Sequence, residues 1–174
     1  MRKTQMLTLS ALFTALCAVC AQIQIPLQPV QINLALLAVH LAAAMLPPRY
    51  AAFSLGAYLM LGAMGLPVLT GFRGGIGVLL DRTGGYMLSY LPCALLESWL
   101  MHRGTAKRLR MCLAMALGTL LCYAAGTAWF MLLTATPLWT SLTLCVLPFI
   151  PGDAVKVVLA AGIALRMRKI YRGG

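Results

Sequence analysis

Long apolar stretches, separated by short basic or glycine- and proline-rich segments, dominate the chain. Residues 4–48 and 111–152 contain no Asp, Glu, Lys or Arg. Since a membrane crossing needs about 20 apolar residues, each stretch is long enough for more than one crossing. The pattern predicts six transmembrane helices, at residues 6–23, 32–46, 49–66, 84–102 and 111–134, with a last one reaching Leu165. We expect the start of the last helix to be bent or broken, because Pro148, Pro151 and Gly152 interrupt it.

The composition supports a single integral membrane domain covering residues 1–174. Apolar residues make up 61% of the chain and charged residues 10%, against roughly 25% charged in soluble proteins. No segment rich in Ser or Gly marks a linker between domains. The predicted fold class is therefore an all-α polytopic membrane protein, built as one bundle of helices.

The basic residues predict the orientation of the bundle. The net charge of +11 comes from short runs between apolar segments, which do not form the basic face of a nucleic-acid-binding protein. Lys and Arg are retained on the cytoplasmic side of membranes. A cytoplasmic N-terminus places these basic residues on that side: Arg2, Lys3, Arg49, Arg103, Lys107, Arg108, Arg110, Arg166, Arg168, Lys169 and Arg172. We therefore predict a multi-pass protein of the cytoplasmic membrane with both termini in the cytoplasm.

The three connections on the predicted outer side carry unusual backbone chemistry. They span residues 24–31, 67–83 and 135–153 and include the sequences IPLQPVQ, LTGFRGGIGVLLDRT and LPFIPGD. Non-helical backbone at membrane depth is tolerated only where protein buries it or water reaches it. We therefore predict a substrate pocket near the outer face.

Asp153 and Lys156 are the leading candidates for binding chemistry. They stand three residues apart at the predicted start of the last helix, so both side chains can lie on the same helix face. Ionic residues within a membrane span usually face a cavity or each other. The alternative is that Asp153 caps the helix N-terminus while Lys156 extends its ammonium to the surface.

Arg73 and Arg82 lie in a glycine-rich outer connection, where positive charge is normally scarce. Glycine lets backbone amides approach a ligand closely, and arginine binds a carboxylate through two donors at once. An ordinary outer loop with solvated arginines is the alternative interpretation. No Gly-Lys-Ser or Gly-Lys-Thr ends this loop, so it is not a nucleotide-binding P-loop.

The remaining polar and small residues in the predicted helices indicate packing. We interpret Glu97 as a charge at the membrane interface and His40 as hydrogen-bonded to a neighbouring helix, with no catalytic role for either. The six cysteines lie in or beside apolar segments, so we expect neither a metal site nor a cofactor. Ala11 and Ala15 belong to a small-residue stripe that can pack against a helix of this chain or of a partner.

Three longer motifs carry a family resemblance. The runs IPLQPVQINLALLAV, YLMLGAMGLPVLTGFRGGIGVLLDRTGGY and PFIPGDAVK resemble the biotin-specific S component of energy-coupling-factor (ECF) vitamin transporters, the BioY family, from residue 11 to about 160. The resemblance implies a six-helix, non-enzymatic protein of the cell membrane that captures biotin from outside. It further implies a complex with a transmembrane coupling subunit and two ATPase subunits.

The resemblance also implies roles for individual residues. Asp153 and Lys156 would lie in the pocket, with Asp153 accepting a hydrogen bond from a ureido N–H of biotin. Arg73 would bind the carboxylate, and Ala11 and Ala15 would meet the coupling subunit. The loop over the pocket would supply backbone donors and polar contacts from Gly74, Gly75, Thr83, Gly84, Gly85 and Tyr86.

The sequence departs from the family pattern next to this loop. Asp81 and Arg82 precede Thr83, adding an ionic pair where the family usually has an uncharged segment. This departure supports a second hypothesis, an S component for another small carboxylate vitamin. Two alternatives come from other functional classes. One is a membrane-embedded enzyme that uses Asp153, Lys156 and Glu97, and the other is a pore.

Overall fold

The computed structural model describes residues 3–25, 32–103 and 108–172. The predicted outer connection at residues 24–31 therefore falls largely outside the described residues, as do Arg2 and Lys107. Within the described ranges the chain forms nine α-helices and one antiparallel pair of two-residue strands. These are α1 (Lys3–Gln22), β1 (Gln24–Ile25), β2 (Ile32–Asn33), α2 (Ala35–Met45), α3 (Pro48–Ala63), α4 (Ile76–Leu79), α5 (Gly84–Leu88), α6 (Tyr90–His102), α7 (Arg108–Thr134), α8 (Leu138–Cys145) and α9 (Ile150–Arg172).

The helical architecture predicted from the sequence is confirmed, and two of the predicted spans are divided. The predicted helix at residues 84–102 consists of α5 and α6, which meet at Ser89. The Ser89 hydroxyl donates to the Tyr86 carbonyl at 2.6 Å, a side-chain-to-backbone bond of the kind that bends helices. The predicted break at the prolines is confirmed, since α8 and α9 are bent by 53° on either side of residues 146–149. Helix α8 itself contradicts the prediction of a non-helical outer connection at residues 135–153, because it lies within them.

The helices differ in how far they can reach across a membrane. Among the described residues, α1 and α7 are each long and apolar enough to cross, and α8 with α9 meet the same criteria as one bent unit. Helix α2 has 11 residues. At about 1.5 Å per residue it spans roughly half of a hydrocarbon layer about 30 Å thick. The span predicted at 32–46 is therefore shorter as a helix than the sequence indicated.

Helix α2 occupies the centre of the bundle. It packs against α1, α3, α6 and α9. Its alanines are almost all buried, and small side chains let neighbouring helices approach closely in a membrane protein. A helix that is apolar on every side is expected to be buried on every side. The outer faces of the surrounding helices instead expose large apolar side chains, as lipid contact requires, for example Leu12, Leu120, Leu132 and Leu159.

Glu97 contradicts one prediction from the sequence. It is not an interfacial charge: its side chain is 0% exposed, and Oε1 lies 2.9 Å from Nδ1 of His40 on α2. Helix α7 passes close by at Gly118, where any Cβ would collide with the Glu97 carboxylate. The prediction that His40 is hydrogen-bonded to a neighbouring helix is confirmed.

Candidate functional site

A pocket lies at the end of the bundle that carries the connections between α1 and α2, α3 and α5, and α7 and α9. Its space, including the mouth open to solvent, is about 410 Å³. The pocket is lined by Asn33, Leu36, Tyr86, Tyr90, Cys122, Tyr123, Cys145, Phe149, Asp153 and Lys156.

An ion pair forms the polar centre of the pocket. Lys156 Nζ lies 2.7 Å from Asp153 Oδ1, and the two side chains are 8% and 7% exposed. The first turns of α9 place both on one helix face, as their spacing predicts. Because the ammonium is buried and paired, the alternative in which Lys156 extends to the surface is wrong.

Tyr123 of α7 completes this polar centre. Its hydroxyl donates to Asp153 Oδ2 at 2.5 Å, so each carboxylate oxygen accepts a bond from a different side chain. Such bonds offset the desolvation of a buried carboxylate. Lys156 has three N–H donors, of which Asp153 accepts one, so the ammonium can also donate to an acceptor in the pocket.

Aromatic and aliphatic side chains form the rest of the wall. Tyr86 and Tyr90 come from the adjacent ends of α5 and α6, while Phe149 precedes α9. The Tyr86 hydroxyl is 2.9 Å from the Thr127 hydroxyl, which fixes the end of its ring. The ring itself lies against Gly126, where a Cβ would collide with it. The arrangement can hold a partly apolar ring system and offer it a small number of polar contacts.

Three of the residues predicted from the sequence meet in this pocket: Tyr86, Asp153 and Lys156. Two glycines at the end of the neighbouring loop have close packing partners. A Cβ on Gly84 would collide with the Leu79 carbonyl, and one on Gly85 would collide with Trp129. Among the described residues, six predicted site residues lie outside the pocket lining, namely Arg73, Gly74, Gly75, Thr83, Gly84 and Gly85.

Two of the loop glycines and Thr83 have specific local surroundings. Gly74 packs against the backbone of the turn at Gly65 and Leu66, and Gly75 has φ 100°, a conformation that favours glycine. The N–H of Gly75 donates to the carbonyl of Gly62 at 2.7 Å. The Thr83 hydroxyl oxygen is buried and has no hydrogen-bond partner among the residues that the structure describes.

Arg73 lies beside the pocket in an exposed setting. Its side chain is 41% exposed, and NH1 lies 3.8 Å from Asp81 Oδ2. Asp81 therefore forms its ion pair with Arg73, whereas the sequence suggested a pair with Arg82. An exposed pair of this kind contributes little to stability.

Several pocket residues were not predicted from the sequence. Tyr123 lies four residues from both Thr119 and Thr127 on an otherwise apolar helix, so the three polar side chains share one helix face. Asn33 accepts a bond from the N–H of Ala35 at 3.0 Å and so satisfies a donor at the start of α2. A polar residue immediately before an apolar helix was the available signal.

Ala11 and Ala15 lie on the outward face of α1. Both are exposed, so the interpretation that they serve packing within this chain is wrong. For metals, no group of three or more His, Cys, Asp or Glu side chains within residues 3–25, 32–103 and 108–172 is arranged as a site.

Comparison with known proteins identifies the family. The model of the BioY family matches residues 1–173. The chain belongs to the BioY family. It is 36% identical to "Biotin transporter BioY2" of Lactococcus lactis subsp. cremoris (strain MG1363) over 165 residues, covering 94% of this chain and 91% of that protein. It is 35% identical to "Biotin transporter BioY" of Thermotoga maritima over 162 residues, covering 92% and 94%.

A solved structure has the same fold. The crystal structure of the S-component for biotin from an ECF-type ABC transporter superposes with a TM-score of 0.90 at 33% sequence identity. The match covers 97% of this chain and 95% of that one.

Proposed function

We propose that this BioY-family chain is the biotin-binding S component of an ECF-type ABC transporter. The observation that carries the proposal is the buried polar centre of Tyr123, Asp153 and Lys156 in a pocket with an aromatic wall. Biotin presents a neutral ureido group with donors and an acceptor, together with a terminal carboxylate. A carboxylate beside an ammonium can bind the donor and acceptor sides of a ureido group together.

The proposal assigns a part of the ligand to each group of residues. Asp153 accepts from a ureido N–H, Lys156 donates to the ureido oxygen, and Tyr86 contacts the bicyclic ring. Arg73 binds the valerate carboxylate after leaving Asp81. The loop closes the site and donates hydrogen bonds to the ligand from backbone or hydroxyl groups of Gly74, Gly75, Thr83, Gly84 and Gly85. The Thr83 hydroxyl oxygen supports its assignment, because it is buried and has no hydrogen-bond partner among the described residues.

The proposed protein is a single domain of residues 1–174 that crosses the cytoplasmic membrane six times. Both termini lie in the cytoplasm, and the pocket opens to the outside. The exposed apolar faces of the helices support an environment of lipid. The exposed alanines Ala11 and Ala15 on α1 support close contact with the coupling subunit of the transporter, which also contains two ATPase subunits.

Binding of labelled biotin to the detergent-purified chain tests the site. Asp153→Asn and Lys156→Ala each leave a charged partner buried and unpaired, so we expect each to weaken binding more than tenfold, about 1.4 kcal/mol. Lys169→Ala is the matched control, because Lys169 is an exposed lysine of the same helix. Wild-type affinity in both pocket variants would show that the site is assigned wrongly.

A second ligand has one specific observation in its favour. Arg82 is exposed in the same loop as Arg73, so this loop carries two arginines that solvent reaches. Another small carboxylate vitamin would use the same cations. Competition between labelled biotin and unlabelled biotin, nicotinate, pantothenate and lipoate separates the two proposals: displacement by another vitamin at a lower concentration than unlabelled biotin requires would favour the second.

The enzyme and pore hypotheses fit the family and the geometry poorly. The relatives are named as transporters, so the chain is not an enzyme. The enzyme hypothesis required Glu97 to act together with Asp153, yet the Glu97 carboxylate is held by His40 and Cys93 away from the pocket lining. For a pore, Thr119 and Thr127 would have to line a continuous channel, and both are buried against other helices.

A further inference from the structure

The turn at residues 68–73, which follows α3, is held mainly from outside itself. Its own backbone forms one bridge, in which the Leu69 N–H donates to the Arg73 carbonyl at 3.0 Å. Phe72 has φ 56°, a left-handed conformation that is uncommon for a bulky residue, and its side chain is 71% exposed. A turn with so little internal bonding needs another part of the protein to fix its shape.

Gln22, at the end of α1, supplies that external support. Its side-chain amide nitrogen donates to the carbonyls of Val68 at 3.2 Å and Leu69 at 3.1 Å, and to Ala18 of its own helix at 3.1 Å. Its amide oxygen accepts from the N–H of Phe72 at 2.7 Å. Only a primary amide presents donors and an acceptor together in this way, so one side chain holds both arms of the turn.

The turn passes this support on to the pocket through Thr70. The Thr70 hydroxyl accepts from the side-chain amide of Asn33 at 2.8 Å, and Asn33 lines the pocket. The Thr70 carbonyl accepts from Nε of Arg73 at 3.3 Å. Thr70 itself is buried, so these bonds are shielded from water. Gln22 is thereby linked both to a residue of the pocket wall and to the proposed carboxylate-binding guanidinium.

We propose that Gln22 is a positioning residue that holds the 68–73 turn against the pocket at Asn33 and thereby slows release of the ligand. Loss of its amide frees the turn and, with it, Thr70 and Arg73. Because α1 also carries the exposed Ala11 and Ala15, a movement of this helix changes the same bonds. The identity of the ligand rests on the proposed function, whereas the bonding of the turn does not.

Dissociation of labelled biotin from the detergent-purified chain tests the inference. In Gln22→Ala we expect the dissociation rate constant to rise about tenfold, which corresponds to about 1.4 kcal/mol. The number of binding sites and the association rate constant should stay near those of the parent, which separates loss of positioning from loss of folded protein.

Gln22→Glu keeps the length and the acceptor of the side chain but loses the donors, and should also raise the dissociation rate constant. Thr8→Val is the control, because among the described residues the Thr8 hydroxyl donates to the carbonyl of Thr4, within its own helix and away from the turn.

Amide hydrogen exchange of the ligand-free chain gives a second measurement that is independent of biotin. We expect faster exchange at Leu69 and Phe72 in Gln22→Ala, and unchanged exchange within α7. If the parent chain does not bind biotin, the proposed function is wrong. The amide exchange rates at Leu69 and Phe72 still show in that case whether Gln22 holds the turn. Exchange at the parental rate, or faster exchange with an unchanged dissociation rate, would overturn the inference.

Discussion

The buried pair of His40 and Glu97 allows a quantitative prediction about the stability of the bundle. Both side chains are 0% exposed, and His40 Nδ1 lies 2.9 Å and 3.0 Å from the two carboxylate oxygens. Cys93 adds a bond from its thiol to Oε1 at 3.1 Å. The pair thus connects α2 to α6 at a depth where water does not compete.

Removing one partner should be far more damaging than removing both. His40→Leu leaves the Glu97 carboxylate buried without its main partner, and we expect it to lower the free energy of unfolding by about 3–5 kcal/mol. Glu97→Leu should act similarly through the unpaired imidazole. The double substitution His40→Leu/Glu97→Leu replaces the pair with side chains of comparable size and should return stability to within about 1 kcal/mol of the parent.

Unfolding by SDS from mild detergent micelles, followed by circular dichroism, measures these differences in a double-mutant cycle. With these values the coupling energy should be at least about 5 kcal/mol. Thr119→Val serves as a control, because Thr119 contacts His40 Nε2 only at 3.5 Å and bonds mainly to the Met115 carbonyl at 2.9 Å. We expect that control to change stability by about 1 kcal/mol or less. Additive single substitutions would refute the argument, since they would mean that the two groups do not depend on each other.

Two further predictions concern the pocket and its loop. Tyr123→Phe removes one bond to the Asp153 carboxylate, so we expect biotin affinity to change by about three- to tenfold with little loss of folded protein, as measured by equilibrium binding; an unchanged affinity would remove Tyr123 from the site. Gly84→Ala should sharply lower thermal stability, because its Cβ would meet the Leu79 carbonyl, while Gly77→Ala, which has open space around it, should not. Equal melting temperatures for the two glycine variants would contradict the packing described.

The parts of the fold that the sequence predicted are those governed by local composition. Helices α1 and α7 are long apolar runs without interior charge, and their predicted ends lie within a few residues of the observed ones. The bend before α9 followed from prolines in its first residues. The division at Ser89 did not follow, because serine is common in helices and only its bond to the Tyr86 carbonyl distinguishes this one.

The depth and the bonding partners of the charged residues could not be predicted without the tertiary structure. Asp153 and Lys156 could be paired from their spacing on one helix. The partner of Glu97 is His40, which lies 57 residues away in the sequence, and space for the carboxylate depends on Gly118 of a third helix. The position of Tyr123 in the pocket could not be predicted either, since a tyrosine in an apolar helix can face lipid, a neighbouring helix or a ligand.

Helical spacing relates the two buried polar groups to each other. Leu36 in the pocket wall and His40 are four residues apart on α2, and Cys122 in the wall and Thr119 are three apart on α7. Each pair therefore lies on one face of its helix, one turn apart. The His40–Glu97 pair consequently forms a layer directly beneath the pocket, on the same helices. Rigid packing in that layer fixes the spacing of α2, α6 and α7 and so preserves the shape of the site above it.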